Sequence, residues 1–154
     1  DILMGFEAGQ EMASVKIGSW HELWRDAERV RTEVFVLEQR IPRELEVDEA
    51  DSDALHAVAY NRLGQPLATG RLLQQAPGVA QIGRMAVDRA VRGSQLGHRV
   101  LQALMDSARG RGDHEVMLHA QRSAAGFYAR AGYAVRGNPF DEAGIAHVEM
   151  FKPL

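Results

Sequence analysis

The chain contains no cysteine among its 154 residues. Disulfides, thiolate nucleophiles and cysteine-ligated zinc are therefore excluded from its stability and its chemistry. The same lack suits a reducing compartment, and a cytoplasmic location is the expectation. No apolar run approaches the ~20 residues that a helix needs to cross a bilayer. Basic residues are slightly outnumbered, giving a formal net charge of −3, so nothing draws the whole chain to polyanions or anionic lipid. Aromatic residues make up only 6% and do not interleave with a basic patch, so neither nucleic acid nor membrane is an expected partner. The opening residues Asp1 to Glu7 lack the positive charge and long apolar core of a secretory leader. Met12 would serve as a start, and residues 1–13 read as an N-terminal extension or tag remnant.

What is present is ordinary for a globular domain: 45% hydrophobic and 25% charged residues. A chain of this length buries roughly 70% of its unfolded surface and needs no metal staple. No repeat, low-complexity tract or linker divides it, so residues 14–154 read as one domain. Ser14 to Gly18 reads as a strand. Ser19 and Glu22 have the spacing of a capping box, and Trp20, Leu23, Trp24, Ala27, Val30 and Val34 follow at helical spacing to about Leu37. An acidic stretch, Ile41 to Asp53, reads as irregular, because Pro42 opposes an unbroken helix. Leu55 to Tyr60, Leu67 to Leu73 and Val79 to Val87 read as a three-stranded meander with turns at Asn61 to Gly64 and Ala76 to Gly78. A helix from near Ser94 to Gly110, a buried strand Glu115 to Ala120, a short helix Ser123 to Ala131 and strands Tyr133 to Arg136 and Ala146 to Lys152 complete a mixed α/β sheet.

The most specific local feature is the passage from the third meander strand into the following helix, through Arg92-Gly93-Ser94-Gln95-Leu96-Gly97. The first N–H groups of a helix lack internal partners and carry partial positive charge, which suits a phosphate. Gly93 and Gly97 allow close backbone approach, and Arg92 adds a full charge. Neither a P-loop nor a dinucleotide fingerprint is present. Many such junctions bind nothing, and the stretch by itself leaves that alternative open.

The segment resembles the acetyl-coenzyme A motif of the GNAT superfamily of N-acetyltransferases, Arg/Gln-x-x-Gly-x-Gly/Ala, with Gln95 in place of the central glycine. The resemblance implies a GNAT fold and acetyl-CoA as co-substrate, with no metal. Arg92, Gly93, Ser94, Gln95, Leu96 and Gly97 would then hold the pyrophosphate, and Met85, Ala86 and Val87 the pantetheine arm. Further on, Gln121-Arg122-Ser123-Ala124 through Tyr128 to Gly132-Tyr133 resembles the superfamily's later motif. Gln121 stands for its asparagine and Tyr128 falls on its tyrosine. A phenol beside the thioester can hydrogen-bond to, or protonate, the departing thiolate. The implied mechanism is direct transfer without an acyl-enzyme, the thioester lying between splayed strands Gly83 to Val87 and Glu115 to Gln121. The base that deprotonates the amine is open between His119, Glu38, the acidic loop and a water chain.

Arg31-Thr32-Glu33-Val34-Phe35-Val36-Leu37-Glu38-Gln39, Asp48 with Asp51, His56, and Glu142-Ala143-Gly144-Ile145-Ala146-His147 together resemble the ElaA-like branch of the superfamily. This implies that Glu38, Asp48 and Asp51 attract a cationic amine; a loop-ordering ion-pair network with Arg31 is the equal alternative. The expected activity is acetyl transfer to a primary amine of a small molecule, with a homodimer through the C-terminal strands open. The competing readings are a non-catalytic acetyl-CoA-binding module, in which Tyr128 would be dispensable, and a phosphate-ligand domain unrelated to coenzyme A.

Overall fold

The computed structural model describes residues 13–154, so the expected extension lies, but for Ala13, outside the described residues. The elements run β1 (Ser14–Ser19), α1 (Trp20–Arg31), α2 (Arg43–Glu46), β2 (Leu55–Tyr60), β3 (Pro66–Ala76), β4 (Val79–Val87), α3 (Leu96–Gly110), β5 (Glu115–Gln121), α4 (Ala125–Arg130), β6 (Ala134–Glu142) and β7 (Ile145–Pro153). The strands form one mixed sheet in the order β1-β2-β3-β4-β5-β7-β6. Only β4 and β5 pair in parallel; the other neighbours are antiparallel.

The capping box forms as its spacing predicts. The Ser19 hydroxyl accepts from the Glu22 amide at 3.3 Å, and the Glu22 carboxylate accepts from the Ser19 amide at 3.0 Å. α1 then buries Leu23, Ala27, Val30 and, unusually, Arg31. Past Arg31 the helix does not stop but widens into π-helical turns over Thr32–Glu38, with the Gln39 amide donating to the Val34 carbonyl at 3.0 Å. β-branched and aromatic residues crowd a regular turn, and the wider one buries both Val34 and Phe35. The acidic stretch expected to be irregular contains two short helical pieces instead. α2 starts directly after Pro42, and a 3₁₀ turn over Glu49–Asp53 opens with the Asp51 amide donating to the Asp48 carbonyl at 3.2 Å and the Asp48 amide donating to the Asp51 carboxylate at 3.3 Å.

α3 covers one face of the sheet. Val100, Leu101, Leu104 and Ala108 are at most 1% exposed and pack on Ala57, Ala80, Ile82, Val116, Leu118 and Met150. Burying each large side chain of this kind stabilises the fold by about 1.5–3 kcal/mol. α1, through Leu23, Ala27 and Val30, and the π-helical turns after it, through Val34 and Phe35, cover the other face.

One irregularity decides where a ligand can enter. Arg84 adopts a left-handed φ of 51°, and the β3–β4 pairing shifts register between Thr69 and Arg71. This is a bulge, and an extra residue inverts which face the following side chains meet. Ala80 and Ile82 face α3 before it. Met85 and Val87 face α3 after it, while Ala86 turns to the α1 side against Val30, Val34 and Phe35. The parallel pairing of β4 with β5 ends at Ile82 opposite Leu118. From there Gly83–Val87 and His119–Gln121 diverge. The expectation had the whole of Glu115 to Gln121 splayed; Glu115 to Leu118 stay paired. β6 also runs six residues beyond its expected end at Arg136, to Glu142, because register shifts between Arg136 and Phe140 let it rejoin β7.

Candidate active site

The divergence opens a cavity of about 890 Å³ through the sheet. Met85, Ala86, Val87, Arg92, His119, Gln121 and Tyr128 line it, as do Glu38 and Asp48. The β5-facing N–H and C=O groups of Gly83 to Val87 have no strand beside them, and such groups demand partners.

At one mouth stands the start of α3, two residues later than expected. Gln95 occupies the cap position with φ 76°, and no side chain caps the helix. Gly93, at φ 85°, precedes it. The left-handed conformation answers the Gln95 substitution: the backbone takes the path a glycine would, at a cost of about 1–2 kcal/mol. The first-turn amides, from Leu96 and Gly97 onward, are thus left for an anion. Gly97 lets the helix approach β4 closely, since a Cβ there would stand 2.9 Å from Val87 Cγ2. The Ser94 hydroxyl is enclosed without a partner.

Arg92 does not stand free. Its two terminal nitrogens donate to the two Glu38 oxygens at 2.7 Å each, and Nε donates to the Val87 carbonyl at 3.0 Å. Arg89 adds a third contact to Glu38 at 3.4 Å. The guanidinium holds the Glu38 carboxyl below its ordinary range. Nearby, the side chains of Gln39 and Gln121 exchange two amide hydrogen bonds of 3.3 and 2.8 Å, tying the end of the π-helical turns to the end of β5.

Tyr128 is 7% exposed and lines the cavity. Its ring meets Phe127 and Tyr133 edge to face at 5.1 and 5.8 Å. Burial raises its pKa, holding the phenol neutral. The neighbouring Tyr133 hydroxyl is buried without a partner.

Asp48 and Asp51 belong to a network of three arginines and three carboxylates. Arg31 pairs with Glu46 through Nε and with both Asp51 oxygens at 2.8 and 2.9 Å. Arg71 reaches Asp48 at 2.6 and 3.0 Å and Asp51 at 3.0 Å. Arg84, on the bulge, donates to the Glu46 carbonyl at 2.9 Å and to Asp48 at 3.2 Å. The network welds the acidic stretch to β3 and β4. Asp51, 1% exposed, is held down to a pKa of about 2 by its arginines and does not line the cavity. His56 completes it by donating Nε2–H to the Asp51 carbonyl at 2.9 Å, and burial lowers its pKa.

On the opposite wall, His119 Nδ1 lies 3.3 Å from Glu142, and His147 Nε2 lies 3.6 Å from the other oxygen of the same carboxylate. The sequence places Glu142 in the ElaA-like segment and Arg84 ahead of the α3 loop, but assigns neither a role in the site. Both lie where a strand departs from regularity, and periodicity carries no signal of that. Among the described residues no three His, Asp or Glu side chains converge as a metal site, and no helix is long and apolar enough to cross a membrane.

An uncapped helix start at one mouth of a gap between two diverging parallel strands defines a fold that seats an acyl-thioester carrier in the gap. A sequence model of the acetyltransferase (GNAT) domain matches residues 22–154, and the chain belongs to that family. It is 36% identical to the uncharacterized N-acetyltransferase YjcF of Bacillus subtilis over 85% of this chain and 93% of that protein. Its fold matches an acyl-CoA N-acyltransferase from Pseudomonas aeruginosa with a TM-score of 0.78 at 34% identity, covering 91% of this chain and 99% of the other. Escherichia coli ElaA shares the fold with a TM-score of 0.79 at 24% identity, covering 91% and 99%. The protein is therefore an acyltransferase with a CoA-borne acyl donor.

Proposed function

We propose that the donor is acetyl-CoA and that the enzyme transfers its acetyl group directly to a primary amine of a small molecule. The observation that carries this reading is the gap itself. An anion-binding helix start stands at its mouth, unpaired β4 backbone lines its side, and a buried neutral phenol, Tyr128, lines its wall.

Coenzyme A suits these residues. Its pyrophosphate meets the amides that follow Gly93 to Gln95, with Arg92 and the enclosed Ser94 hydroxyl beside them. Its amide-bearing arm pairs with the free edge of Met85, Ala86 and Val87, as a strand would. A β4 amide in the gap, fixed before the reaction begins, stabilises the oxyanion of the tetrahedral intermediate. The amine lone pair attacks the thioester carbon, the C–N bond forms, the C–S bond breaks, and Tyr128 donates its O–H to the departing sulfur. A free phenol is a weaker acid than a free thiol, whose pKa is near 8.5. Burial raises both, so Tyr128 acts first as a hydrogen-bond donor and hands over its proton as the thiolate forms in the same dry gap. With no cysteine in the chain no thioester intermediate on the enzyme arises, and proximity supplies much of the acceleration. The proton that the amine sheds leaves on the imidazole side, where His119 and His147 flank Glu142.

The test has two stages. Acetyl-CoA at a hundred times its dissociation constant adds about 2.7 kcal/mol, which raises the unfolding midpoint by roughly 5–10 °C; ATP and NAD leave it unchanged. A panel of primary amines is then screened for CoA release with a disulfide reagent, which sees no thiol in the enzyme. No shift with acetyl-CoA would end the proposal. A shift with no turnover on any amine, and none lost in Tyr128→Phe, would leave a non-catalytic acetyl-CoA-binding module.

A further inference from the structure

Four carboxylates line the cavity: Glu38, Glu46, Asp48 and Glu142. Three face guanidinium groups, Glu38 that of Arg92, Glu46 that of Arg31, and Asp48 those of Arg71 and Arg84. Among the described residues, the ionic contacts of Glu142 are with two imidazoles only. A cavity otherwise neutralised thus keeps one carboxylate without a permanent cation.

His147 sharpens the point. Its side chain is 8% exposed, and Nδ1 lies 2.7 Å from the Ile145 carbonyl oxygen. A carbonyl only accepts, so Nδ1 carries the hydrogen, and in the neutral form of the ring, the one that can take up a proton, Nε2 keeps a lone pair. That lone pair faces Glu142 Oε2 across 3.6 Å. Two acceptors opposed at this distance repel unless a donor stands between them. A primary ammonium, with three N–H groups on one atom, donates to both.

The surroundings hold this arrangement in place. Phe140 stacks on His147 with ring centroids 5.9 Å apart and meets His119 edge to face at 5.0 Å. His119 and His147 alternate with Leu118, Ala120 and Val148, which pack toward α3, so both imidazoles stand on the sheet face away from α3. Glu142 is delivered by a two-residue turn, Ala143–Gly144, with φ of 52° and 77°, the hairpin geometry that matches strand twist.

We infer that Glu142 and His147 form the binding and deprotonation site for the acceptor's ammonium group, while His119 is a positioning residue that holds the Glu142 carboxylate. The inference rests on the N-acetyltransferase reading above and assigns the amine to the face of the sheet opposite the α3 anion site. The ammonium gives one proton to His147 Nε2, which passes it to solvent at the cavity mouth. The freed nitrogen attacks the thioester carbon, the C–N bond forms and the C–S bond breaks. The nitrogen's second surplus proton replaces the one that Tyr128 gives to sulfur. The binding of the cationic amine thus falls to Glu142 rather than to Glu38, Asp48 and Asp51, each of which already faces an arginine.

Two variants and one probe test this. Benzylamine presents an ammonium group on an apolar body suited to the cavity walls at Val34, Phe35 and Ile41; benzyl alcohol is its neutral counterpart. In imidazole ¹⁵N spectra of the protein, benzylamine shifts the His147 and His119 signals and benzyl alcohol does not. Glu142→Gln weakens benzylamine binding about tenfold to a hundredfold, as loss of a hydrogen bond to a charged group does, and raises the acceptor KM more than it lowers kcat. His147→Asn, which retains an N–H for the Ile145 carbonyl but loses Nε2, lowers kcat most. Both variants keep the full acetyl-CoA thermal shift. Equal response to amine and alcohol, undiminished benzylamine binding in Glu142→Gln, or loss of the acetyl-CoA shift in both variants would overturn the inference. A parent protein blind to acetyl-CoA would instead sink the transferase reading, and the benzylamine titration would still decide the amine site.

Discussion

Arg92 grips Glu38 with both terminal nitrogens, each 2.7 Å from a carboxylate oxygen. The contact joins the end of the π-helical turns to the loop before α3. Any pyrophosphate arriving at that loop competes with Glu38 for the same guanidinium. Exposed pairs of this kind are worth about 0.2–1 kcal/mol, so Glu38→Gln is expected to tighten acetyl-CoA binding by no more than roughly fivefold. Arg92→Gln is expected to weaken it. Calorimetric titration at low salt checks both, and the gain in Glu38→Gln shrinks as salt screens the pair. Weaker binding in Glu38→Gln would mean that the carboxylate holds Arg92 in place for the ligand rather than away from it.

Tyr128→Phe removes one oxygen from a side chain whose hydroxyl makes no hydrogen bond to the described residues. The fold should therefore keep its stability to within about 0.5 kcal/mol. A lost proton donor lowers kcat by about 10²–10⁴-fold, with KM for acetyl-CoA little changed. Steady-state rates beside a melting curve decide this, and unaltered kcat would remove the phenol from the chemistry.

At Gly97 the space is already taken. An added Cβ would lie 2.9 Å from Val87 Cγ2 and 3.6 Å from the Phe127 ring. Gly97→Ala must push α3 off β4 at the place where the anion site and the gap meet. Overpacking costs about 1–3 kcal/mol, and acetyl-CoA binding should weaken beyond what the lost stability explains. Chemical denaturation and ligand titration, measured together, separate the two effects.

Acid should unfold the protein in two stages, each with a named cause. His56 has a lowered pKa because burial disfavours its charged form. Its contribution is complete above the unfolded value of about 6.5 and falls away as pH drops below that. Asp51 is held at about 2, against an ordinary 3.8. Its contribution is present above that ordinary value and is lost as pH falls through about 2. The difference corresponds to roughly 2 kcal/mol. Asp51→Asn should shrink the second stage, leaving the share of carboxylates such as Asp48 and Glu38, and, by leaving Arg31 buried beside one remaining carboxylate, cost about 3–5 kcal/mol at neutral pH. Urea midpoints across the acid range measure both.

Much of this architecture is legible in the chain because local signals agree with the fold. The Ser19–Glu22 box, the apolar stripe of α3 and the turns that bound β2 and β4 reflect interactions between residues close in sequence, and β2 and β4 take their expected bounds at Leu55–Tyr60 and Val79–Val87. The uncapped helix start that follows Arg92 is legible for the same reason, since helix-start geometry is local. Other features are settled between distant parts of the chain. The bulge at Arg84 depends on partners at Leu45, Glu46 and Asp48, and nothing in the spacing of β4 foretells it. Asp48 and Asp51 look free on paper and are bound by arginines on α1, β3 and β4. Glu142, given no role by the sequence, is set between two histidines by the β5–β7 and β6–β7 registers. The sequence alone determined the order of the elements and the loop from which α3 starts, because those follow from propensity, turn chemistry and periodicity. Only the tertiary structure decided which charges are cancelled and which remain, because ion pairing depends on which side chains the sheet brings together.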